Sequence, residues 1–64
     1  MTIPSSKDAI RLIQADGWIL KRVTGSHHHF IHPGKKGIVT IVHPVKDIPS
    51  GTWGNIKRQA GVKE

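Results

Sequence analysis

The chain has 64 residues and no cysteine, so the sequence predicts one domain, residues 1–64, that uses neither disulfide bonds nor thiolate–zinc sites for stability. Ten Lys and Arg residues against four Asp and Glu residues give a formal charge of +6, which favours a polyanionic partner such as RNA, DNA or an acidic protein. No apolar run is long enough to span a membrane and no secretory signal opens the chain, so we expect a soluble cytoplasmic protein.

The first predicted element is a short amphipathic helix. Ser5 or Ser6 can cap its N-terminus, and Gly17 is suited to the left-handed conformation that ends a helix. Four apolar residues fall mainly on one side of this helix at helical spacing: Ala9, Ile10, Leu12 and Ile13.

Three strands are predicted next. Residues 18–24 are rich in β-branched and aromatic side chains, Gly25-Ser26 predicts a turn, and residues 27–32 form the second strand. A break at residues 33–37 leads to a short apolar run, residues 38–42, which is typical of a buried strand.

A second helix is predicted after a loop that contains two prolines and a glycine. Ser50 or Thr52 can cap this helix, and Gly61 can end it. Its apolar residues recur at helical spacing: Trp53, Ile56 and Ala60.

The order helix, three strands, helix predicts an α+β fold in which two helices cover one face of a three-stranded antiparallel sheet. The other face is left for a partner. This order resembles that of a double-stranded-RNA-binding domain, although a shared order of elements does not assign a function.

Three consecutive histidines open the predicted second strand. Alternation places His27 and His29 on the open face of the sheet, and His28, Phe30 and His32 toward the helices. Imidazole transfers protons near neutral pH, so a histidine could take the proton of a ribose 2′-OH or protonate the leaving oxygen during RNA cleavage without a metal. The chain offers no cysteine and no obvious carboxylate pair, which makes histidine the leading catalytic residue type.

Two other interpretations of the histidines stay open. They could be polar strand residues that bind phosphate or satisfy local hydrogen bonds. A metal site completed by His32 and His43 is the other interpretation, but adjacent histidines in a strand diverge, whereas zinc usually recruits ligands from separated positions. We therefore predict no metal and no other cofactor.

Basic side chains outside the histidine run could form a surface that follows a phosphate backbone. A basic face that is merely solvated explains each of these residues about equally well. The two tryptophans could stack on bases, but their places at the starts of elements favour core packing. The residues predicted to contact RNA are Lys21, Arg22, His29, Lys35, Lys36 and Lys46.

The chain as a whole resembles the HicA-type toxins, which are the mRNA interferases of HicA–HicB toxin–antitoxin pairs. The resemblance extends over residues 7–62, and an ordered set of short motifs carries it. These motifs are Asp16-Gly17-Trp18, Gly25-Ser26-His27 leading into Phe30, His32-Pro33, Val42-His43-Pro44, Lys46-Asp47-Ile48-Pro49, Gly51-Thr52 and Ile56-Lys57-Arg58-Gln59-Ala60-Gly61.

The resemblance implies a fold similar to the double-stranded-RNA-binding domain, cleavage of mRNA that suppresses translation, and neutralisation by a HicB-like antitoxin in a hetero-oligomer. The family's catalytic histidine follows the glycine-containing turn and corresponds to His27 here, with His28 as the alternative. Gly25 and Ser26 would form the turn that presents it.

The competing hypotheses are a non-catalytic basic RNA-binding module and a domain that binds a metal or an acidic protein. The sequence identifies neither the RNA site that is cut nor the acid or base that complements the histidine.

Overall fold

The computed structural model describes residues 3–62, so the ends of the predicted domain, residues 1, 2, 63 and 64, lie outside the described residues. The three strands form one antiparallel sheet in the order β1-β2-β3, which makes β2 the central strand. The fold is the predicted α+β arrangement, similar to a double-stranded-RNA-binding domain. Its elements are α1 (Ser6–Ala15), β1 (Ile19–Thr24), β2 (His27–His32), β3 (Lys35–Val42) and α2 (Ser50–Ala60).

Both ends of α1 follow from local sequence. Ser5 is the N-cap, and its side-chain oxygen accepts a hydrogen bond from the Asp8 N–H at 3.2 Å. Just beyond the helix, Gly17 has a φ of +108°, and a Cβ atom built on it would lie 2.8 Å from His32 Nε2. Glycine is therefore required here for both its backbone conformation and its lack of a side chain.

Strand β3 begins at Lys35 rather than at residue 38, so the prediction of a break across residues 33–37 was wrong. Pro33-Gly34 alone forms the turn, because His32 pairs with Lys35 and the Gly34 N–H donates to His32 Nδ1 at 2.9 Å. Gly37, with a φ of +88°, lies within an irregular stretch of the β2–β3 ladder instead of ending the strand.

The N-terminus of α2 also differs from the prediction. Its N-cap is Pro49, and neither Ser50 nor Thr52 caps the helix with its side chain. Pro49 has the non-helical φ and ψ of a cap, and its carbonyl accepts the Trp53 N–H at 2.9 Å, so the helix begins before either hydroxyl can take the cap position. Gly61 ends the helix in the left-handed conformation, as predicted.

The core lies between the two helices and one face of the sheet, and both tryptophans are part of it, as predicted. The Trp18 indole N–H donates to the Ala60 carbonyl at 3.1 Å, which satisfies its buried polar atom. No helix lies on the opposite face, called the open face below, within residues 3–62. The core residues are Ala9, Ile13, Trp18, Phe30, Val39, Ile41, Ile48, Trp53, Ile56 and Ala60.

Neither helix in the described part of the chain is long and apolar enough to cross a membrane.

Candidate functional site

A two-residue turn joins β1 to β2 and places the histidine run. Thr24 pairs with His27 across the turn, and Gly25 between them has a φ of +59°. No positive φ occurs at Ser26, so the pair fits a type II′ hairpin turn, which needs glycine at its first central position. A Cβ atom on Gly25 would meet nothing within 4 Å, so backbone conformation alone requires glycine here.

His27 and His29, called the open-face pair below, lie together on the uncovered side of the sheet, as alternation predicted. Their rings stack with centroids 6.4 Å apart and an angle of 21° between planes. The Nδ1 atom of His29 is hydrogen-bonded to Thr40 Oγ1 on β3 at 2.9 Å, and Arg22 lies opposite His29 on β1. His27 is exposed, so a large ligand can reach its ring.

His28 lies at the rim of the helix-covered side. Its ring meets the His43 ring edge-on with centroids 5.1 Å apart, and its Nδ1 lies 3.3 Å from the Ser26 carbonyl oxygen. Because a carbonyl only accepts hydrogen bonds, Nδ1 carries the proton in this contact. The Nε2 atom of the neutral ring then holds a lone pair and can accept a proton.

A buried serine holds His43 in place. The side chain of Ser6 is 1% exposed, and its Oγ lies 2.6 Å from His43 Nδ1 while accepting the Val45 N–H at 2.8 Å. Ser6 is a possible helix cap in the sequence, but in the structure it is a buried hydrogen-bonding residue. Its spacing from Ala9 and Ile13 places it on the buried face of α1, and that spacing was the available signal.

His32 has partners on both ring nitrogens. Its Nδ1 accepts the Gly34 N–H, and its Nε2 donates to the Asp16 carbonyl at 2.8 Å while the ring edge packs on Trp18. His32 and His43 therefore occupy separate environments rather than one site. Within residues 3–62, no three His, Asp or Glu side chains are grouped so that they could hold a metal ion.

Lys35 was predicted to contact RNA, but its ammonium group is held by protein atoms. The Nζ atom donates to Asp16 Oδ2 at 2.5 Å, to the Ala60 carbonyl at 2.9 Å and to the Gly61 carbonyl at 3.4 Å. The hydrogen bond from Lys35 lowers the pKa of the Asp16 carboxyl below its ordinary value. Lys35 thus joins the residue after α1, strand β3 and the end of α2, and its contact with RNA stays a prediction that these hydrogen bonds disfavour.

The other lysine and arginine residues predicted to contact RNA are exposed, whereas His29 is half-buried. Lys21 lies at an irregularity in the β1–β2 ladder next to Arg22, Lys36 lies on β3, and Lys46 lies in the loop that follows β3. Several large apolar side chains on the strands are exposed as well, with 36% to 56% of each accessible. These are Ile19, Leu20, Val23, Ile31, Ile38 and Val42.

The chain is similar to known proteins in both sequence and structure. The family model described as the HicA toxin of bacterial toxin–antitoxin systems matches residues 6–62. A chain of a solved toxin–antitoxin complex from Streptococcus pneumoniae is similar in structure, with a TM-score of 0.76 and 32% sequence identity over 91% of this chain and 97% of that chain. No curated protein gives a significant match.

Proposed function

The chain belongs to the HicA family of toxins from bacterial toxin–antitoxin systems, and from that membership we propose that it cleaves mRNA as a metal-independent endoribonuclease and so inhibits translation. One observation carries the chemical part of this proposal. A glycine turn presents consecutive histidines at the start of the central strand, on a protein whose formal charge is +6. Imidazole and positive charge are what acid–base cleavage of a polyanion needs.

The proposed reaction begins with the ribose 2′-oxygen, which attacks the adjacent phosphorus as a base takes its proton. An acid then protonates the leaving 5′-oxygen. We propose His27 as the catalytic acid or base, because it is the most exposed member of the run and shares the open face with Arg22. His28 is the alternative, because the Ser26 carbonyl orients its ring and leaves Nε2 able to accept a proton.

The proposed RNA surface combines the remaining basic side chains with His29. Lys21 and Arg22 lie on β1, Lys36 on β3 and Lys46 in the following loop, and all four are exposed. Positive side chains on both edge strands can contact successive phosphates of a strand that crosses the sheet. Phosphate contacts of this kind would position RNA without reading its sequence.

We also propose that a HicB-like antitoxin binds and inhibits this protein in the cytoplasm. The similar solved chain comes from a toxin–antitoxin complex. The exposed apolar side chains on the strands, surrounded by positive charge, suit a protein partner that has an apolar contact area and an acidic surface. Such a partner would compete with RNA for the same charges.

The decisive experiment measures RNA cleavage by purified protein free of antitoxin, in excess chelator, for the wild type, His27→Ala and His28→Ala. We expect the wild type to cut RNA and His27→Ala to lose about 10²- to 10⁴-fold in rate, with RNA binding largely retained. His28→Ala serves as the neighbouring control, and circular dichroism checks that each variant is folded.

Three results would change the proposal. If His28→Ala is inactive while His27→Ala is active, the catalytic role belongs to His28. If folded wild-type protein binds RNA but leaves it intact, the protein is a non-catalytic RNA-binding module. If chelator abolishes cleavage, the reaction requires a metal.

A further inference from the structure

We infer that His29 is the general acid that complements His27, so that the open-face pair performs both proton transfers of RNA cleavage. This inference rests on the proposed ribonuclease function and on His27 as its base. It assigns the second proton-transfer group, which the proposed function leaves unnamed.

The arrangement of the two rings supports the inference. The 2′-oxygen attacks the phosphorus in line with the leaving 5′-oxygen, so the base and the acid must flank one phosphate, each within about 2.6–3.2 Å of its oxygen. His27 and His29 project from the same face of one strand, with nearly parallel rings and centroids 6.4 Å apart. We place the phosphate across this pair, with the 2′-oxygen toward His27 and the 5′-oxygen toward His29.

The other histidines in the described part of the chain are less suited to this role. His28 and His43 contact each other on the helix-covered side, and both nitrogens of His32 are already hydrogen-bonded to protein. None of the three strands contains a carboxylate. On the open face, His29 is thus the side chain best matched to proton donation near neutral pH.

The neighbours of His29 support a defined orientation. Thr40 Oγ1 is hydrogen-bonded to Nδ1 at 2.9 Å, so Nε2 is the nitrogen left for substrate, and Thr40 is a positioning residue. Arg22 lies opposite His29 on β1. On β3, Thr40 pairs with His29 and Val42 pairs with His27, and neither of these two partners is charged. Arg22 can therefore hold a non-bridging phosphate oxygen beside the acid.

The reaction then balances within the pair. The bond between the 2′-oxygen and phosphorus forms, and the bond between phosphorus and the 5′-oxygen breaks. His27 takes the 2′ proton, and the His29 imidazolium gives its proton to the 5′-oxygen. The products are a 2′,3′-cyclic phosphate and a free 5′-hydroxyl.

The test uses an oligoribonucleotide in which sulfur replaces the 5′-oxygen at a mapped cleavage site, because a thiolate leaves without being protonated. We expect His29→Ala to cut ordinary RNA about 10²- to 10⁴-fold more slowly than the wild type, and to cut the sulfur substrate at close to the wild-type rate. His27→Ala should be slow on both substrates. Thr24→Ala, opposite His27 on the neighbouring strand β1, should match the wild type on both.

Wild-type rates for His29→Ala on ordinary RNA would overturn the inference and leave the ribonuclease proposal intact. So would a His29→Ala variant that stays slow on the sulfur substrate, since that result means His29 only binds RNA. Rescue of His27→Ala rather than His29→Ala would reverse the roles. A wild-type protein that cuts neither substrate would refute the proposed function itself. If His29→Ala does not fold, His29→Asn keeps a hydrogen-bonding side chain toward Thr40.

Discussion

Single histidines in this chain have separate roles that their contacts define. The His32 ring is fixed on both nitrogens, and His43 is fixed by a buried hydroxyl, so both stabilise the fold. His27 and His29 lie on the open face, which no helix within residues 3–62 covers. The histidines thus fall into two groups in the structure. His32 and His43 support the fold, whereas His27 and His29 are accessible.

The ion pair between Asp16 and Lys35 should make stability depend on pH. Folding lowers the Asp16 pKa from 3.8, so its contribution to the free energy of unfolding is fully present above that value and is lost as the pH falls through the lower, folded-state pKa. We expect Asp16→Asn to be less stable than the wild type near neutral pH, with a difference that shrinks in acid below pH 3.8. Urea denaturation of both proteins across this range measures the effect. A difference that does not change with pH would contradict it.

Ser6→Ala should destabilise the protein by about 1–3 kcal/mol, because it leaves the partly buried Val45 N–H and His43 Nδ1 without their partner. The free energy of unfolding from urea titration is the measurement. The control is Ser26→Ala in the exposed turn, whose side chain makes no hydrogen bond within residues 3–62 and which should change stability by less than about 0.5 kcal/mol. Equal effects of the two substitutions would show that the buried hydroxyl has no special importance.

At the level of elements, the two helices begin by different means. In α1 a serine side chain accepts a backbone N–H, whereas α2 begins at Pro49 without a side-chain cap. The type of every element and the bounds of β2 could be predicted, because hydrophobic spacing and the glycine turns are local signals. The starts of β3 and α2 could not, because strand pairing and proline geometry, rather than side-chain type, decide those boundaries.

The caps therefore give a matched pair of substitutions. Ser5→Ala should lower the free energy of unfolding by about 1 kcal/mol, because the Asp8 N–H loses its acceptor. Thr52→Ala should change it by less than about 0.5 kcal/mol, because Thr52 is exposed and caps nothing. Thermal unfolding of both variants provides the comparison, and a larger loss in Thr52→Ala would contradict the observed start of α2.

At the level of the whole molecule, charge and fold together define the surface that we propose for RNA binding. The basic residues are visible in the sequence, but only the fold shows which of them have protein partners. Lys35 is hydrogen-bonded to Asp16 and to the end of α2, whereas Arg22 lies on the open face of the sheet. Such a pairing joins residues that are distant in the chain. No spacing rule reveals it, and for the same reason the contact between Ser6 and His43 could not be predicted.

RNA affinity should fall steeply with salt, and individual charges should account for the slope. Each lost phosphate contact should reduce the slope of log affinity against log salt by about 0.7 on single-stranded RNA. We expect this reduction for Arg22→Ala and Lys36→Ala, whose side chains are exposed, and none for Lys35→Gln, whose ammonium is held by protein. Fluorescence anisotropy with a labelled RNA measures the slopes. A reduction in Lys35→Gln equal to that in Arg22→Ala would return Lys35 to the RNA surface.

The hydrogen bond from the Trp18 indole to the Ala60 carbonyl connects the corner after α1 with the last turn of α2, residues that are 42 positions apart. The indole proton is buried in this contact, so it can exchange with solvent deuterium only when the end of α2 moves away from the sheet. A single NMR resonance therefore reports whether the C-terminal helix is docked. Because this contact lies on the side of the sheet opposite the open-face pair, the resonance can be followed while a ligand is titrated onto the open face.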